Sequence, residues 1–124
     1  RRFQVSGFRF QGKGLGGEIG YPTVNLRLST STSSLHLPLG VYEVELEERK
    51  GIANYGLAPT MGDRAWKTPI LEIHLLDAGW KDARLETEDG MTVLFIRYIR
   101  PEKKFDSIED LKRQIAADCA TITA

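Results

Sequence analysis

The chain is poor in the residues that staple or metallate small proteins: it has one cysteine, Cys119, and two histidines, His36 and His74. A single thiol forms no internal disulfide, which excludes a disulfide-framed secreted module and fits a reducing, cytoplasmic compartment. Two histidines far apart in sequence do not supply a His-rich zinc site. Charge of one sign is missing too. Seventeen Lys and Arg cancel seventeen Asp and Glu, whereas a nucleic-acid binder carries a basic excess to neutralise phosphates. No apolar run approaches the roughly 20 residues that span a bilayer. Neither nucleic acid nor membrane is expected as a partner. An initiator Met and an apolar leader are absent, since Arg1-Arg2-Phe3-Gln4 runs straight into alternating residues; the chain is expected to be cut from a longer protein. What remains is ordinary: 124 residues, 41% apolar and 27% charged, enough for one domain with a real core.

The alternation of apolar and polar residues predicts about six strands. Phe3, Val5, Phe8 and Phe10 mark the first, broken at Gly7, and Tyr21 to Leu28 the second, entered at Pro22. A polar Ser/Thr loop over 29–37 precedes Tyr42, Val44 and Leu46, which alternate with Glu43, Glu45 and Glu47 as in a half-buried antiparallel strand. Lys50-Gly51 is the expected hairpin turn, followed by strands from Ile52 to Leu57, Ile70 to Leu76 and Met91 to Ile99. Loops are expected over 61–68 and 77–90. Only the end reads as helix, with Ser107 as N-cap and Ile108, Leu111, Ile115, Ala116 and Cys119 as its apolar stripe. Short strands at this spacing favour an antiparallel sandwich or barrel with a helix packed on it.

Three segments can carry chemistry. Five of the twelve glycines fall within residues 12–20. Gly12, Gly14 and Gly17 match a dinucleotide-binding spacing, but that fingerprint needs a following helix, and Pro22 with a strand follows instead. A P-loop string is absent as well. A glycine loop of this kind offers bare N–H groups to phosphate oxygens, with Lys13 as counter-charge; a ligand-free hairpin loop is the plainer alternative. In the second segment, Thr23 and Asn25 share one strand face, where two neutral oxygens suit a Mg²⁺ shell completed by phosphates and water, or simply face solvent. In the third, Glu72 and His74 share a face opposite Leu71, Ile73 and Leu75. A strand-held carboxylate suits a general base, the pair could also be two ligands of a metal site, and a wet strand face explains them equally well. No Gly-x-Ser-x-Gly elbow points to a serine hydrolase. Cys119 reads as a buried, inert thiol, and Trp66 and Trp80 fall in loops.

Together these segments resemble the riboflavin kinase (flavokinase) family along nearly the whole chain. The resemblance rests on five ordered motifs: Ile19-Gly20-Tyr21-Pro22-Thr23-Val24-Asn25, Pro38-Leu39-Gly40-Val41-Tyr42, Asn54-Tyr55-Gly56-Leu57-Ala58-Pro59-Thr60, Glu72-Ile73-His74-Leu75-Leu76-Asp77, and Arg100-Pro101-Glu102-Lys103-Lys104-Phe105-Asp106-Ser107. It implies a six-stranded Greek-key barrel with a C-terminal helix. It also implies transfer of the ATP γ-phosphoryl group to the 5′-hydroxyl of riboflavin, giving FMN and ADP. By the same resemblance Thr23 and Asn25 would hold Mg²⁺ and Glu72 would be the base. Gly12, Lys13, Gly14, Gly16, Gly17 and Gly20 would cover the nucleotide phosphates. Asn54, Arg100, Phe105 and Leu111 would hold the flavin, the segment from Arg100 to Phe105 and the following helix acting as a flap. Leu15 and Gly17 stand where the family usually carries Arg, and Trp80-Lys81-Asp82 stands where it often has Tyr-Gly. In bacteria such a domain commonly follows an adenylyltransferase domain in a bifunctional riboflavin kinase/FAD synthetase.

Two rivals come from other classes. A flavin-binding sensor or carrier that has lost catalysis needs neither the Thr23–Asn25 pair nor Glu72. An oligonucleotide-binding barrel needs a basic groove, which zero net charge and the acidic strand with Glu43, Glu45 and Glu47 do not provide.

Overall fold

The computed structural model describes residues 3–10, 23–28, 37–56, 69–76, 90–103 and 105–123. Among the described residues six strands form: β1 (Phe3–Phe10), β2 (Thr23–Leu28), β3 (Gly40–Leu46), β4 (Arg49–Gly56), β5 (Ile70–Leu75) and β6 (Met91–Arg100). A helix, α1 (Ile108–Thr123), follows them. All pairings are antiparallel and the sheet closes in the order β1-β2-β5-β4-β3-β6. Strands β3, β4 and β5 are a meander, and β6 returns beside β3, which is a Greek key. Closure leaves no sheet edge to be protected.

Alternation fills the barrel. Val24, Leu26, Val44, Leu46, Ala53, Leu71, Ile73, Leu75, Val93 and Phe95 point inward and are almost wholly buried. Tyr42 lies edge-on to Phe95, with ring centroids 5.1 Å apart, and donates its hydroxyl proton to the Pro38 carbonyl at 2.5 Å.

The hairpin turn differs from expectation. Glu47 and Glu48 form it, both at positive φ (47° and 71°), and Leu46 faces Arg49 across a two-residue loop. This is the primed-turn geometry that matches strand twist, though glutamates are unusual in it. Glu47 is held there because its N–H donates to the Thr92 carbonyl and its carboxylate accepts the Thr92 N–H, both at 3.0 Å. Gly51 lies inside β4 instead, where a Cβ would come within 2.8 Å of Ile73 Cγ2. Its glycine serves close strand approach, not a turn.

On β4 and β5 the outward face is buried as well. Ile52, Asn54, Ile70 and His74 are buried although they alternate with inward residues. Helix α1 lies against β4. Ser107 caps it, accepting the Asp110 N–H at 3.1 Å. Leu111 and Ile115 are buried and pack with Phe105, and Ile108 and Cys119 flank them. The buried stripe departs from the expected one at two positions. Ala116 is exposed, while Asp118, three residues past Ile115, is 2% exposed. Two arginines of β6 fasten this helix. The Arg100 guanidinium meets the Asp118 carboxylate through Nε at 3.1 Å and Nη2 at 3.0 Å, and Arg97 Nη2 donates to the Thr121 carbonyl at 2.5 Å. Cationic groups at a helix C-terminus also oppose its partial negative charge.

Candidate active site

Strand register, rather than sequence proximity, assembles the site. Asn25 of β2 is the Cα partner of Glu72 of β5, and Glu72 is that of Asn54 on β4. The row continues through Val41 of β3 to Arg100 of β6. Residues directly opposite on adjacent strands lie about 4.5–5.5 Å apart, and all of these point away from the barrel interior. One step along, Thr23 pairs with His74 and His74 with Ile52. Thr23, Asn25, Glu72, His74 and Asn54 therefore share one outer patch.

The patch is mostly sheltered. Asn25, Asn54 and His74 are buried, and the Glu72 side chain keeps 18% of its surface. His74 Nδ1 lies 3.1 Å from Thr23 Oγ1, and its Nε2 lies 3.9 Å from Glu72 Oε1. Burial lowers the His74 pKa below the ordinary imidazole value, and the negative charges of Glu72 and Asp118 oppose that with smaller effect. The imidazole is therefore held neutral near pH 7. Asn54 Nδ2 donates to Glu102 Oε1 at 3.4 Å. A side chain at Gly56 would collide with the Glu102 carboxylate, so that glycine gives Glu102 its place.

Thr23 and Asn25 offer neutral oxygens beside a carboxylate, a donor set that fits a small hard cation such as Mg²⁺. Among the described residues no group of three or more His, Cys, Asp or Glu could hold a metal.

The predicted residues divide into three groups. Thr23, Asn25, Glu72 and Asn54 are brought together. Phe105 and Leu111 lie in the packed cluster under the helix, and Arg100 is engaged with Asp118 at the far end of the row. Gly12, Lys13, Gly14, Gly16, Gly17 and Gly20 lie outside the described residues, as do Trp66 and Trp80. Sequence reasoning missed Asp118 and gave Glu102 no role. A polar residue at heptad spacing from Leu111, with Ile115 between, was the available signal for Asp118.

The riboflavin kinase family profile (Flavokinase) matches residues 1–124. The chain belongs to the riboflavin kinase family. Curated riboflavin kinase relatives agree. It is 36% identical to the bifunctional riboflavin kinase/FMN adenylyltransferase of Pseudomonas fluorescens, over 100% of this chain and 38% of that protein. It is equally similar to that of Escherichia coli K12, over 94% and 36%. The RNA-binding riboflavin kinase RibR of Bacillus subtilis is 35% identical over 95% of this chain and 49% of its own length. The chain thus spans little more than a third of the bifunctional relatives. Among solved structures, one described as a macrolide-efflux protein from Streptococcus pneumoniae superposes with TM-score 0.57 at 26% identity, over 93% of this chain and 36% of that one. Among the described residues, no helix is long and apolar enough to cross a membrane.

Proposed function

We propose that this chain is the kinase domain that transfers the γ-phosphoryl group of ATP to the 5′-hydroxyl of riboflavin, giving FMN and ADP. The observation that carries the reading is the Asn25–Glu72–Asn54 row, which sets a strand-held carboxylate beside two oxygen donors on one sheltered patch. Phosphoryl transfer asks for alignment and charge neutralisation, with little covalent work by the protein. Glu72 accepts the proton of the attacking hydroxyl. Thr23 and Asn25 would hold Mg²⁺, which neutralises phosphate charge when bound. Gly12 to Gly20 with Lys13 would cover the nucleotide phosphates. Asn54 would orient the flavin substrate, with Arg100, Phe105 and Leu111 in the flap above it. The bifunctional relatives support an adenylyltransferase domain as neighbour, and ATP chemistry with a lone thiol suits the cytoplasm.

The test is chromatographic: protein, riboflavin, ATP and Mg²⁺, resolved for FMN and FAD. Parent protein should form FMN without FAD, with turnover abolished by chelation. Glu72→Gln should lower kcat by about 10²–10⁴-fold, the span typical of a general base. No FMN from folded, riboflavin-binding protein would sink the kinase reading and favour a sensor or carrier.

A further inference from the structure

His74 has no part in the chemistry above, yet it touches both of its halves. It is 4% exposed, next to the last residue of β5, with Nδ1 at 3.1 Å from Thr23 Oγ1. Its Nε2 is buried and has no hydrogen-bond partner among the described residues, with Glu72 Oε1 nearest at 3.9 Å. A buried imidazole nitrogen left in this state is uncommon and calls for a reason. The two neutral tautomers differ sharply here. With the proton on Nδ1, Nε2 would direct a bare lone pair at a carboxylate, an unfavourable contact in a sheltered site. With the proton on Nε2, the N–H points toward Glu72, and Nδ1 must then accept the Thr23 hydroxyl proton.

We infer that His74 is a positioning residue: by accepting the Thr23 hydroxyl's hydrogen bond at Nδ1 it makes Thr23 meet a cation with oxygen rather than with its proton, and its Nε2–H steadies Glu72. A threonine hydroxyl free to rotate presents its proton to a cation as readily as its lone pairs. A hydroxyl whose proton is engaged presents oxygen only. The inference rests on the assignment of Thr23 to the cation. Outer partners of this kind commonly change metal affinity by about 10–100-fold.

The test separates the two nitrogens. Asn at position 74 can place an acceptor near Nδ1 but reaches no further, while Leu supplies neither group. Mn²⁺ binding to the full chain with ADP, read by electron paramagnetic resonance, requires no turnover. Thr23→Val should weaken it at least tenfold. His74→Leu should weaken it about as much and add nothing in the Thr23→Val background, and His74→Asn should stay within about threefold of the parent. Folding of each variant is checked by thermal unfolding. In the parent, the ¹⁵N shifts of His74 at pH 8 should report the Nε2–H tautomer. Unchanged Mn²⁺ binding in Thr23→Val refutes the cation assignment and the inference with it. Weakening by Thr23→Val without weakening by His74→Leu overturns the inference alone. So does equal weakening by His74→Asn and His74→Leu, or an Nδ1–H tautomer.

Discussion

Arg100→Met should destabilise the domain by about 3 kcal/mol through loss of its contact with Asp118. The guanidinium makes two charge-assisted hydrogen bonds to that carboxylate, 3.1 and 3.0 Å long. The Asp118 side chain is 3% exposed and that of Arg100 21%. Removing the cation leaves a buried carboxylate whose one remaining side-chain donor among the described residues is the Gln114 amide, at 3.0 Å. Breaking a buried pair in this way costs about 3–5 kcal/mol, and the partly exposed guanidinium places this one near the lower end. Roughly 2.1 cal/mol/K per residue gives an unfolding entropy of about 260 cal/mol/K for 124 residues, so Tm should fall by about 11 °C. The double variant Arg100→Met/Asp118→Leu should recover most of the loss, because both charges are then gone. Urea and thermal unfolding followed by far-ultraviolet circular dichroism measure both values. A single variant within about 0.5 kcal/mol of the parent, or a double variant no better than the single, would refute the clasp. A raised riboflavin KM with unchanged Tm would instead return Arg100 to a direct flavin contact.

Gly51→Ala should cost about 1–3 kcal/mol by urea unfolding, because its Cβ meets Ile73 Cγ2 at 2.8 Å and the His74 carbonyl at 3.2 Å; a neutral result would mean that β4 and β5 separate without penalty. Glu48→Gly should stabilise by about 1 kcal/mol, since glycine relieves the cost of a left-handed residue at φ 71°; destabilisation would show that the Glu48 side chain contributes more than the turn strain. Burial pushes the Tyr42 phenol up to about 12. Its folded pKa lies above its unfolded value of about 10, so its contribution is complete below pH 10 and is lost as pH rises from 10 toward 12. Tyr42→Phe should flatten that part of the stability profile and cost about 1 kcal/mol at neutral pH through the lost bond to the Pro38 carbonyl; an unchanged alkaline slope would assign the loss elsewhere.

The strands were legible where one face is wet and the other packed, as in β3, whose glutamates alternate with Tyr42, Val44 and Leu46. Strand β4 was harder. Gly51 to Gly56 is buried on both faces, so alternation vanishes, and Gly51 resembles a turn residue until its approach to Ile73 is known. The true turn at Glu47-Glu48 lacks turn chemistry, because tertiary bonds to Thr92 override local preference. At the site, spacing placed Thr23 with Asn25 and Glu72 with His74, since both pairs obey the period of two. It did not show that the pairs face each other, because that depends on the register of β2 against β5, in which Thr23 meets His74, 51 residues away, through barrel closure. Asp118 was illegible for the same reason. Its partner lies on another element, and a buried acid looks like a break in the apolar stripe.

Arg97 and Arg100 show how the barrel reaches the helix. On β6 the inward residues are Met91, Val93 and Phe95, so strict alternation would send residue 97 inward as well. The β3–β6 register shifts twice: Val44 pairs with Phe95, Glu43 with Arg97, Tyr42 with Tyr98, and Val41 with Arg100. Ile96 and Ile99 are the extra residues. The first bulge turns Arg97 outward, where it meets Glu43 at 2.8 Å and the end of α1. Beyond it Tyr98 pairs with Tyr42, edge-on to it at 5.3 Å, and stays 47% exposed. The second bulge then turns Arg100 outward, level with Val41, Asn54, Glu72 and Asn25 and within reach of Asp118. Bulges re-aim side chains without opening the ladder, and two of them within five residues deliver both arginines to the helix. The same helix packs against β4, the strand beside the one that carries Glu72 and His74. The irregular stretch of β6 thus brings its last residue, Arg100, level with the row that runs through β2, β5, β4 and β3.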